Sequence, residues 1–260
     1  MEANELDYLA ERVADLIYQA HRVVVFTGAG ISTESGIPDF RGPDGIWTKF
    51  DPDDFTIQKF MTSREARKLQ WAVLRDGGLL KDAEPNAAHY AIAELEKLGK
   101  LDCIITQNVD NLHQKAGNSP EKVFELHGNM KWVRCMNCNR RVPMEEVLPR
   151  LKEEEVPDCQ ACKGILKPDG VFFGESLPQK TLSDSVFHSR HCDLFIVVGS
   201  TLVVYPAAYM PMYAREAGAK LVIINLGPTP MDPQSTVLIS AKAGESMPEI
   251  VDKLKRRISS

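Results

Sequence analysis

No apolar run in the sequence approaches the roughly 20 residues that a membrane-spanning helix needs, so no transmembrane helix is predicted. The first residues are acidic and follow a helical pattern, unlike a secretory signal, and we expect a cytoplasmic protein. Positive charge is not in excess, because the formal net charge of the 260 residues is −5. Binding to nucleic acid or to a membrane is therefore not predicted. The chain also has no internal repeat and no low-complexity tract.

Cysteine is scarce, and in a cytoplasmic protein the six that are present are expected to be metal ligands or buried thiols rather than disulfides. Four of them form two Cys-x-x-Cys pairs with twenty residues between the pairs: Cys135, Cys138, Cys159 and Cys162. That spacing is typical of a structural zinc site, in which four thiolates leave no coordination position for a substrate. A redox Cys-x-x-Cys motif is the alternative. Cys103 lies in a predicted buried strand and is expected to be a core thiol.

β-branched and aliphatic runs alternate with amphipathic stretches along the chain. Buried strands are predicted near residues 23–27, 101–106, 123–128, 171–173, 194–198, 221–224 and 237–239. Helices are predicted over 4–20, 66–74, 86–98, 207–217 and 247–257. This order predicts an α/β fold with a doubly wound parallel sheet. The segment 43–81 interrupts the alternation and is expected to belong to a smaller lobe, with a surface insertion as the alternative.

The turn after the first strand lacks the third glycine of the dinucleotide fingerprint. The segment 27–30, Thr-Gly-Ala-Gly, ends a buried run, and such a turn presents backbone N–H groups to a phosphate. The fingerprint needs glycine at the position of Thr33, so this is not the ordinary Rossmann loop. The polar segment 38–41, Pro-Asp-Phe-Arg, favours a loop that covers a ligand as well as binding its phosphates.

Polar side chains follow two further predicted strands. Gln107, Asn108 and Asp110 come directly after strand 101–106, and ligands of parallel α/β sheets bind beyond the carboxyl ends of the strands. Asn and Asp also form turns for local backbone reasons, which is the alternative interpretation. His127 ends the strand near 123–128 and is a candidate general base, with a hydrogen-bonded core histidine as the alternative. We expect His113 to be structural.

The same segments, taken in order, resemble the motifs of the sirtuin family of NAD-dependent protein deacylases, in a compact prokaryotic form. The resemblance covers essentially the whole chain and rests on TGAGIS at 27–32, GIPDFR at 36–41, TQNVD at 106–110, LHG at 126–128, the paired Cys-x-x-Cys segments, FGE at 173–175 and VGST at 198–201. It is specific, because several separate motifs and a zinc ribbon have to coincide.

The resemblance implies a Rossmann-like NAD-binding domain formed by 1–42, 82–130 and 168–260. It also implies a smaller lobe with a helical part, 43–81, and a zinc-binding module, 131–167. NAD would be the co-substrate and one zinc ion would be structural. The expected reaction is the transfer of acetyl or other acyl groups from protein lysines to ADP-ribose, which releases nicotinamide and 2′-O-acetyl-ADP-ribose. Proteins that carry acyl-lysine are the implied partners.

By the same resemblance, functional positions are assigned residue by residue. The catalytic positions are His127, Asn108 and Asp110, with His127 as general base. The cofactor-binding positions are Gly28, Ala29, Gly30, Ser32, Asp39, Phe40, Arg41, Gln107, Asn108, Asp110, Gly199, Ser200, Thr201, Asn225, Leu226 and Ala243. The positions expected to clamp the substrate peptide as an added strand are Phe172, Gly174, Glu175 and Val204. The four paired cysteines would hold the zinc.

One departure from the family bears on the acyl group. Sirtuins that prefer acidic acyl groups carry a Tyr-x-x-Arg pair in the helical segment before the Pro-Asn helix. Here the segment 68–75 has no tyrosine, and Trp71 and Arg75 are separated by a different spacing. We therefore expect acetyl and other neutral acyl groups.

Two other functions share parts of this pattern. An ADP-ribosyltransferase or NAD hydrolase would use the same nicotinamide pocket without an acyl-peptide. A non-catalytic, NAD-responsive binding module is disfavoured, because Asn108, Asp110 and His127 are all present.

Overall fold

The structure, a computed structural model, describes residues 2–40, 42, 45–75, 80 and 83–259. Within these residues the helices are α1 (Ala3–Gln19), α2 (Ile57–Thr62), α3 (Arg64–Arg75), α4 (Ala87–Lys97), α5 (Leu112–Ala116), α6 (Met144–Val147), α7 (Gln179–His191), α8 (Tyr209–Glu216) and α9 (Ala243–Ser259). The strands are β1 (Val23–Thr27), β2 (Leu101–Thr106), β3 (Val123–Glu125), β4 (Gly128–Cys135), β5 (Arg141–Pro143), β6 (Leu166–Gly170), β7 (Leu194–Val198), β8 (Lys220–Ile224) and β9 (Val237–Ile239). None of these helices combines the length and apolar character that crossing a membrane takes.

The larger sheet has the strand order β3-β2-β1-β7-β8-β9, and all of its neighbouring strands are parallel. Every residue of β1 is buried, because helices cover both faces of the sheet. Val23 and Val25 pack on the side of α1, α4 and α9, whereas Val24 and Phe26 pack on the side of α7 and α8. The prediction of a doubly wound parallel sheet is confirmed.

The direction of the strand order reverses between β1 and β7. From β1 the chain steps outward to β2 and β3, then crosses to the other side of β1 and continues through β7, β8 and β9. The turns that leave β1 and β7 therefore diverge, which opens a crevice at the carboxyl ends of these two strands. The residues that follow β1, β2, β3 and β7 all lie at this edge of the sheet.

A smaller antiparallel sheet has the order β5-β4-β6 and its own apolar core. Trp71 of α3 is fully buried in that core, together with Val133 of β4 and Leu166 of β6. The helical segment before α4 and the cysteine-containing segment therefore share one set of packed side chains. The domain boundaries expected from the sequence stay a prediction.

The segment Val171 to Phe173 is not a strand of the larger sheet, and that prediction is wrong. The preceding strand, β6, pairs with β4, and Phe173 then forms a single parallel bridge with Thr56. The apolar side chains are buried in another way, since the ring of Phe172 packs on Phe60 with 5.2 Å between the centroids. Gly174 has a φ of +78°, which ends the extended conformation directly afterwards.

Candidate active site

Two glycine-containing turns touch each other through their backbones at the crevice. The N–H of Gly28 donates to Val198 O at 3.2 Å, and the N–H of Gly30 donates to Gly199 O at 2.9 Å. A Cβ on Gly28 would lie 2.8 Å from Gly199 O, and one on Gly30 would lie 2.8 Å from Gly199 Cα. Glycine is thus needed here for close backbone approach. Ala29 begins a short helical turn in which the N–H of Gly30 is used by Gly199 O and that of Ile31 by Gly28 O, so among the described residues of this turn the N–H of Ala29 is the one open to an anionic ligand.

Ser32, Asn108 and Asp110 form a chain of hydrogen bonds at the ends of β1 and β2. The hydroxyl of Ser32 donates to Asp110 Oδ2 at 2.7 Å, and Asn108 Nδ2 donates to Ser32 Oγ at 3.1 Å. Asp110 Oδ1 accepts the N–H of Leu112 at 2.9 Å, so the carboxylate also anchors the start of α5. Ser32 is 1% exposed and Asn108 9% exposed, which fixes the direction of both side chains.

A buried layer beneath this chain holds Asn108 in place. The N–H of Asn108 donates to Thr106 Oγ1 at 3.0 Å, and the hydroxyl of Thr27 donates to the same oxygen at 2.8 Å. His113 Nε2 lies 3.0 Å from Thr27 Oγ1 and is the donor in this arrangement. Burial lowers the pKa of His113 well below its ordinary value, so the imidazole is neutral. His113 is structural, as expected.

Sequence reasoning missed Thr27 and Thr106 as parts of the site. Both are buried, and each ends a strand of the parallel sheet. A threonine at the last position of a buried β-branched run was the available signal, but threonine is also an ordinary strand residue.

His127 faces the crevice from the turn between β3 and β4. Its Nδ1 lies 2.9 Å from the carbonyl oxygen of Gln107, and a carbonyl only accepts, so Nδ1 carries the proton. In the neutral ring this leaves Nε2 as a proton acceptor. Burial lowers the pKa of His127, and the hydrogen bond to Gln107 opposes that change. Gln107 also reaches across the crevice, because its Nε2 donates to Ser200 Oγ at 2.8 Å.

The loop after the first turn carries Asp39 and Phe40. Asp39 Oδ1 accepts the N–H of Gly42 at 2.7 Å, and the ring of Phe40 packs against Trp47 with 5.3 Å between centroids. Phe40 is nevertheless 38% exposed, so one side of its ring is open to a ligand. Arg41, the third predicted position in this loop, lies outside the described residues.

The remaining predicted cofactor positions follow β7, β8 and β9. Thr201 is exposed, beside the buried Ser200. Asn225 donates from Nδ2 to Gly227 O at 2.7 Å, and Leu226 is 67% exposed. Ala243 is the first residue of α9, and the N–H of the next residue donates to Glu34 of the first loop at 2.7 Å. Leu226 thus offers an exposed apolar side chain after β8, on the opposite side of β1 from β3 and His127.

The predicted peptide positions do not all present free side chains. Phe172, Gly174 and Glu175 form a turn after β6, in which the N–H of Glu175 donates to Phe172 O at 3.0 Å. Glu175 Oε2 accepts the N–H of Phe172 at 3.0 Å, so this carboxylate is used within the turn. Val204 lies in a different loop, and its carbonyl oxygen accepts the N–H of Ala208 at 2.9 Å.

The polar groups at the crevice fit NAD. The backbone N–H of Ala29 suits a phosphate oxygen, and the amides of Asn108 and Gln107 with the carboxylate of Asp110 suit a carboxamide and ribose hydroxyls. These groups come from the ends of neighbouring strands at the reversal of strand order, where dinucleotides bind in this class of fold.

The four paired cysteines fit a structural zinc. Their sulfur atoms lie within 4.8 Å of one another. Sγ of Cys135 is 3.5 Å from Sγ of Cys162, and Sγ of Cys138 is 3.8 Å from Sγ of Cys159. A tetrahedral zinc with Zn–S bonds of about 2.3 Å has sulfur–sulfur edges of about 3.8 Å. Each pair is followed by a residue in the left-handed region, which closes two matching tight turns.

Comparison with known proteins identifies relatives over most of the chain. The sequence model described as "Sir2 family" matches residues 28–206. An Archaeoglobus fulgidus protein named "NAD-dependent protein deacylase 2" is 46% identical over 250 residues, which cover 94% of this chain and 96% of that protein.

Two similar solved structures are named as complexes with ligands. "Sir2-p53 peptide-NAD+" has a TM-score of 0.85 and 39% identity, and the match covers 97% of this chain and 98% of that chain. A Sir2 variant with deacetylated p53 peptide and 3′-O-acetyl ADP ribose has a TM-score of 0.87 and 40% identity over the same shares of the two chains.

We predict that Gly199→Ala lowers the free energy of unfolding by about 2–4 kcal/mol. Alanine at this position would combine the strain of a left-handed backbone conformation with a steric overlap of its Cβ. Gly199 has a φ of +64°, and its Cβ would lie 2.2 Å from Ile31 N. Gly218→Ala is the control, since Gly218 has a φ of +95° but nothing within 4 Å of a Cβ. The control should cost about 1–2 kcal/mol. Urea unfolding measures both, and equal losses would refute the close approach.

We predict that Cys135→Ala loses its zinc and the cooperative folding of the β5-β4-β6 sheet, because three thiolates hold the metal less tightly than four. Elemental analysis of the purified protein measures the zinc content. Cys103→Ala is the control, since Cys103 is buried in the core of the larger sheet and should leave the zinc content unchanged. A stable, active Cys135→Ala protein without zinc would show that the metal is not structural.

Proposed function

This chain belongs to the Sir2 family, and we propose that it is an NAD-dependent protein-lysine deacetylase in which His127 is the general base. The observation that carries the assignment of His127 is its tautomer. Nδ1–H is bound to the carbonyl of Gln107, which leaves Nε2 as the proton acceptor at the crevice. The Archaeoglobus fulgidus relative supports the reaction class, and the two Sir2 complexes support NAD and an acyl-lysine peptide as substrates.

NAD, when bound, supplies the ribose that receives the acyl group and the nicotinamide that leaves. His127 is neutral at neutral pH, because burial lowers its pKa, and it accepts a proton from a ribose hydroxyl at Nε2. The carbonyl of Gln107 then stabilises the imidazolium through Nδ1–H. General-base catalysis of this kind contributes about 10²–10⁴ in rate.

Asn108 and Asp110 orient the nicotinamide end of the co-substrate. The hydrogen bond from Asn108 to Ser32 and the one from Ser32 to Asp110 fix an amide and a carboxylate beside each other. Both accepting oxygens of Asp110 keep a second lone pair, which suits the N–H groups of a carboxamide. Because Ser32 and Asn108 are buried, these polar groups act where little water competes.

The acyl-lysine peptide binds between the turn at Phe172–Glu175 and the loop of Val204, as an added strand. Backbone hydrogen bonds supply affinity in this mode, so it tolerates many peptide sequences. The clamp also separates this function from an ADP-ribosyltransferase or NAD hydrolase, which has no need of an acyl-peptide. Release of nicotinamide that does not depend on peptide would favour those alternatives.

Acetyl and other neutral acyl groups are the preferred substrates. Trp71 is 0% exposed and packs with Val133 and Leu166 in the core of the smaller sheet, so its indole is not a donor for an acyl carboxylate. The segment 68–75 contains no tyrosine that could take that place. A succinyl carboxylate would then be desolvated without its paired donors, which is costly.

We predict that His127→Ala lowers the rate of deacetylation about 10²–10⁴-fold, because it removes the Nε2 that accepts the ribose proton. The assay follows nicotinamide release with an acetyl-lysine peptide, and circular dichroism checks the fold. His191→Ala is the control, since His191 is an exposed histidine at the end of α7 and should keep its rate within about twofold. Near-normal turnover of His127→Ala would show that His127 is not the general base.

We predict that kcat/KM is at least about tenfold higher for an acetyl-lysine peptide than for a succinyl-lysine peptide of the same sequence. The physical reason is the unpaired carboxylate of the succinyl group. Mass spectrometry of both peptides in one reaction measures the ratio directly. Faster removal of succinyl would contradict the proposed preference.

A further inference from the structure

Lys167 is a charged residue in the interior of the protein. It lies in β6, is 2% exposed, and its Nζ donates to Pro168 O at 3.0 Å and to Gly170 O at 2.6 Å. The ammonium group also lies 4.3 Å from the ring centroid of Phe172. Burial lowers the pKa of Lys167, which reflects the cost of keeping a charge away from water. Such a cost is expected only where the charge has a specific partner.

The partner of Lys167 is Glu175. Lys167 Nζ lies 3.1 Å from Glu175 Oε2, and the same oxygen accepts the N–H of Phe172 at 3.0 Å. Asp169 is engaged elsewhere, because Arg134 and Arg141 bind its two carboxylate oxygens at 2.9 and 2.7 Å. The Lys167–Glu175 ion pair therefore links the two ends of the segment 167–175, from β6 to the end of the turn.

That segment joins the catalytic histidine to the peptide clamp. At its start, the N–H of Val171 donates to the carbonyl oxygen of His127 at 2.8 Å. Further along, the N–H of Phe173 donates to Phe55 O at 3.1 Å, and Phe173 O accepts the N–H of Ile57 at 2.9 Å. The turn is thus fixed at both edges, and Lys167 lies beneath the part between them.

We propose that Lys167 is a positioning residue for the substrate peptide, which it holds indirectly by fixing the turn at 172–175. Its charge binds Glu175 and the carbonyls of residues 168 and 170, so the backbone of the turn keeps one conformation before the peptide arrives. A preorganised strand edge binds more tightly, because the peptide does not have to order it. This role rests on the proposed function, since the turn is the peptide clamp only in a deacetylase.

The same contacts assign a supporting role to the carboxylate of Glu175. The side chain of Glu175 is bound by Phe172 N–H and Lys167 Nζ, both of which lie in the segment 167–175. Glu175 then contributes to the peptide clamp through its backbone, and its side chain forms the ion pair with Lys167 that holds the turn. The effect of Lys167 on the peptide should accordingly pass through Glu175.

The test is Lys167→Met, which keeps the length of the side chain and removes its charge. We expect the Kd of an acetyl-lysine peptide, measured by fluorescence anisotropy, to rise about tenfold or more. The KM for NAD should change less than about twofold, because the crevice residues do not touch Lys167. Lys167→Arg keeps the charge and the donors and should recover most of the peptide affinity.

Lys253→Met is the matched control. Lys253 is also a nearly buried lysine in an ion pair, with Nζ 2.6 Å from Asp7 Oδ1, but it lies in α9 against α1. It should lower thermal stability and leave the peptide Kd unchanged. If Lys167→Met does not fold, the comparison of Lys167→Gln with Lys167→Arg tests the positioning role. Glutamine keeps a donor without the charge, so the Lys167→Gln protein should bind the peptide more weakly than the Lys167→Arg protein.

A double-mutant cycle with Glu175→Gln tests whether the effect of Lys167 on peptide binding passes through Glu175. We expect the loss in Lys167→Met/Glu175→Gln to be clearly smaller than the product of the two single losses, since both variants remove one interaction. Equal losses of affinity for NAD and for peptide in Lys167→Met would overturn the positioning role. An unchanged peptide Kd in Lys167→Met would also overturn it, provided that the wild-type protein deacetylates the peptide. If the wild-type protein neither binds nor deacetylates the peptide, the proposed function itself fails.

Discussion

The contact between the backbones of the turns that leave β1 and β7 is the constraint on which the crevice depends. Gly28 and Gly30 lie against Gly199 at distances that leave no room for a Cβ, so the two halves of the sheet meet without side chains between them. The hydrogen bond from Gln107 to Ser200 continues this contact across the crevice. Polar groups from both halves can therefore act on one ligand, and His127 is oriented by the same residue, Gln107.

The smaller sheet connects the cysteine cluster to His127, the proposed general base. At one end of the β4–β6 pair, Cys135 is opposite Leu166, and at the other end Gly128 is opposite Gly170. A zinc ion without an open coordination position supplies no chemistry. A zinc held by these cysteines would fix β4, which begins directly after His127, and β6, which leads into the turn at 172–175, so the cysteine cluster and the proposed general base belong to one packed unit.

Much of the fold could be predicted from the sequence, because buried parallel strands are continuous apolar runs and their carboxyl ends gather at one edge. The residues that failed prediction depend on distant partners. Val171 to Phe173 read as a strand of the larger sheet, yet the partner of Phe173 is Thr56. Helix α9 begins before the predicted Met247, because Glu34 of the first loop binds the N–H of Gly244. Lys167, beside a proline and an aspartate, gives no sequence signal of burial.

NAD-dependent removal of the acetyl group from a lysine in a peptide is the activity that the fold and the crevice together support. Mass spectrometry of an acetyl-lysine peptide, incubated with the protein with and without NAD, tests it most directly. We expect the peptide to lose one acetyl group only when NAD is present, with an equal amount of acetyl-ADP-ribose formed. An unchanged peptide in the presence of NAD, or nicotinamide released at the same rate without peptide, would contradict the claim.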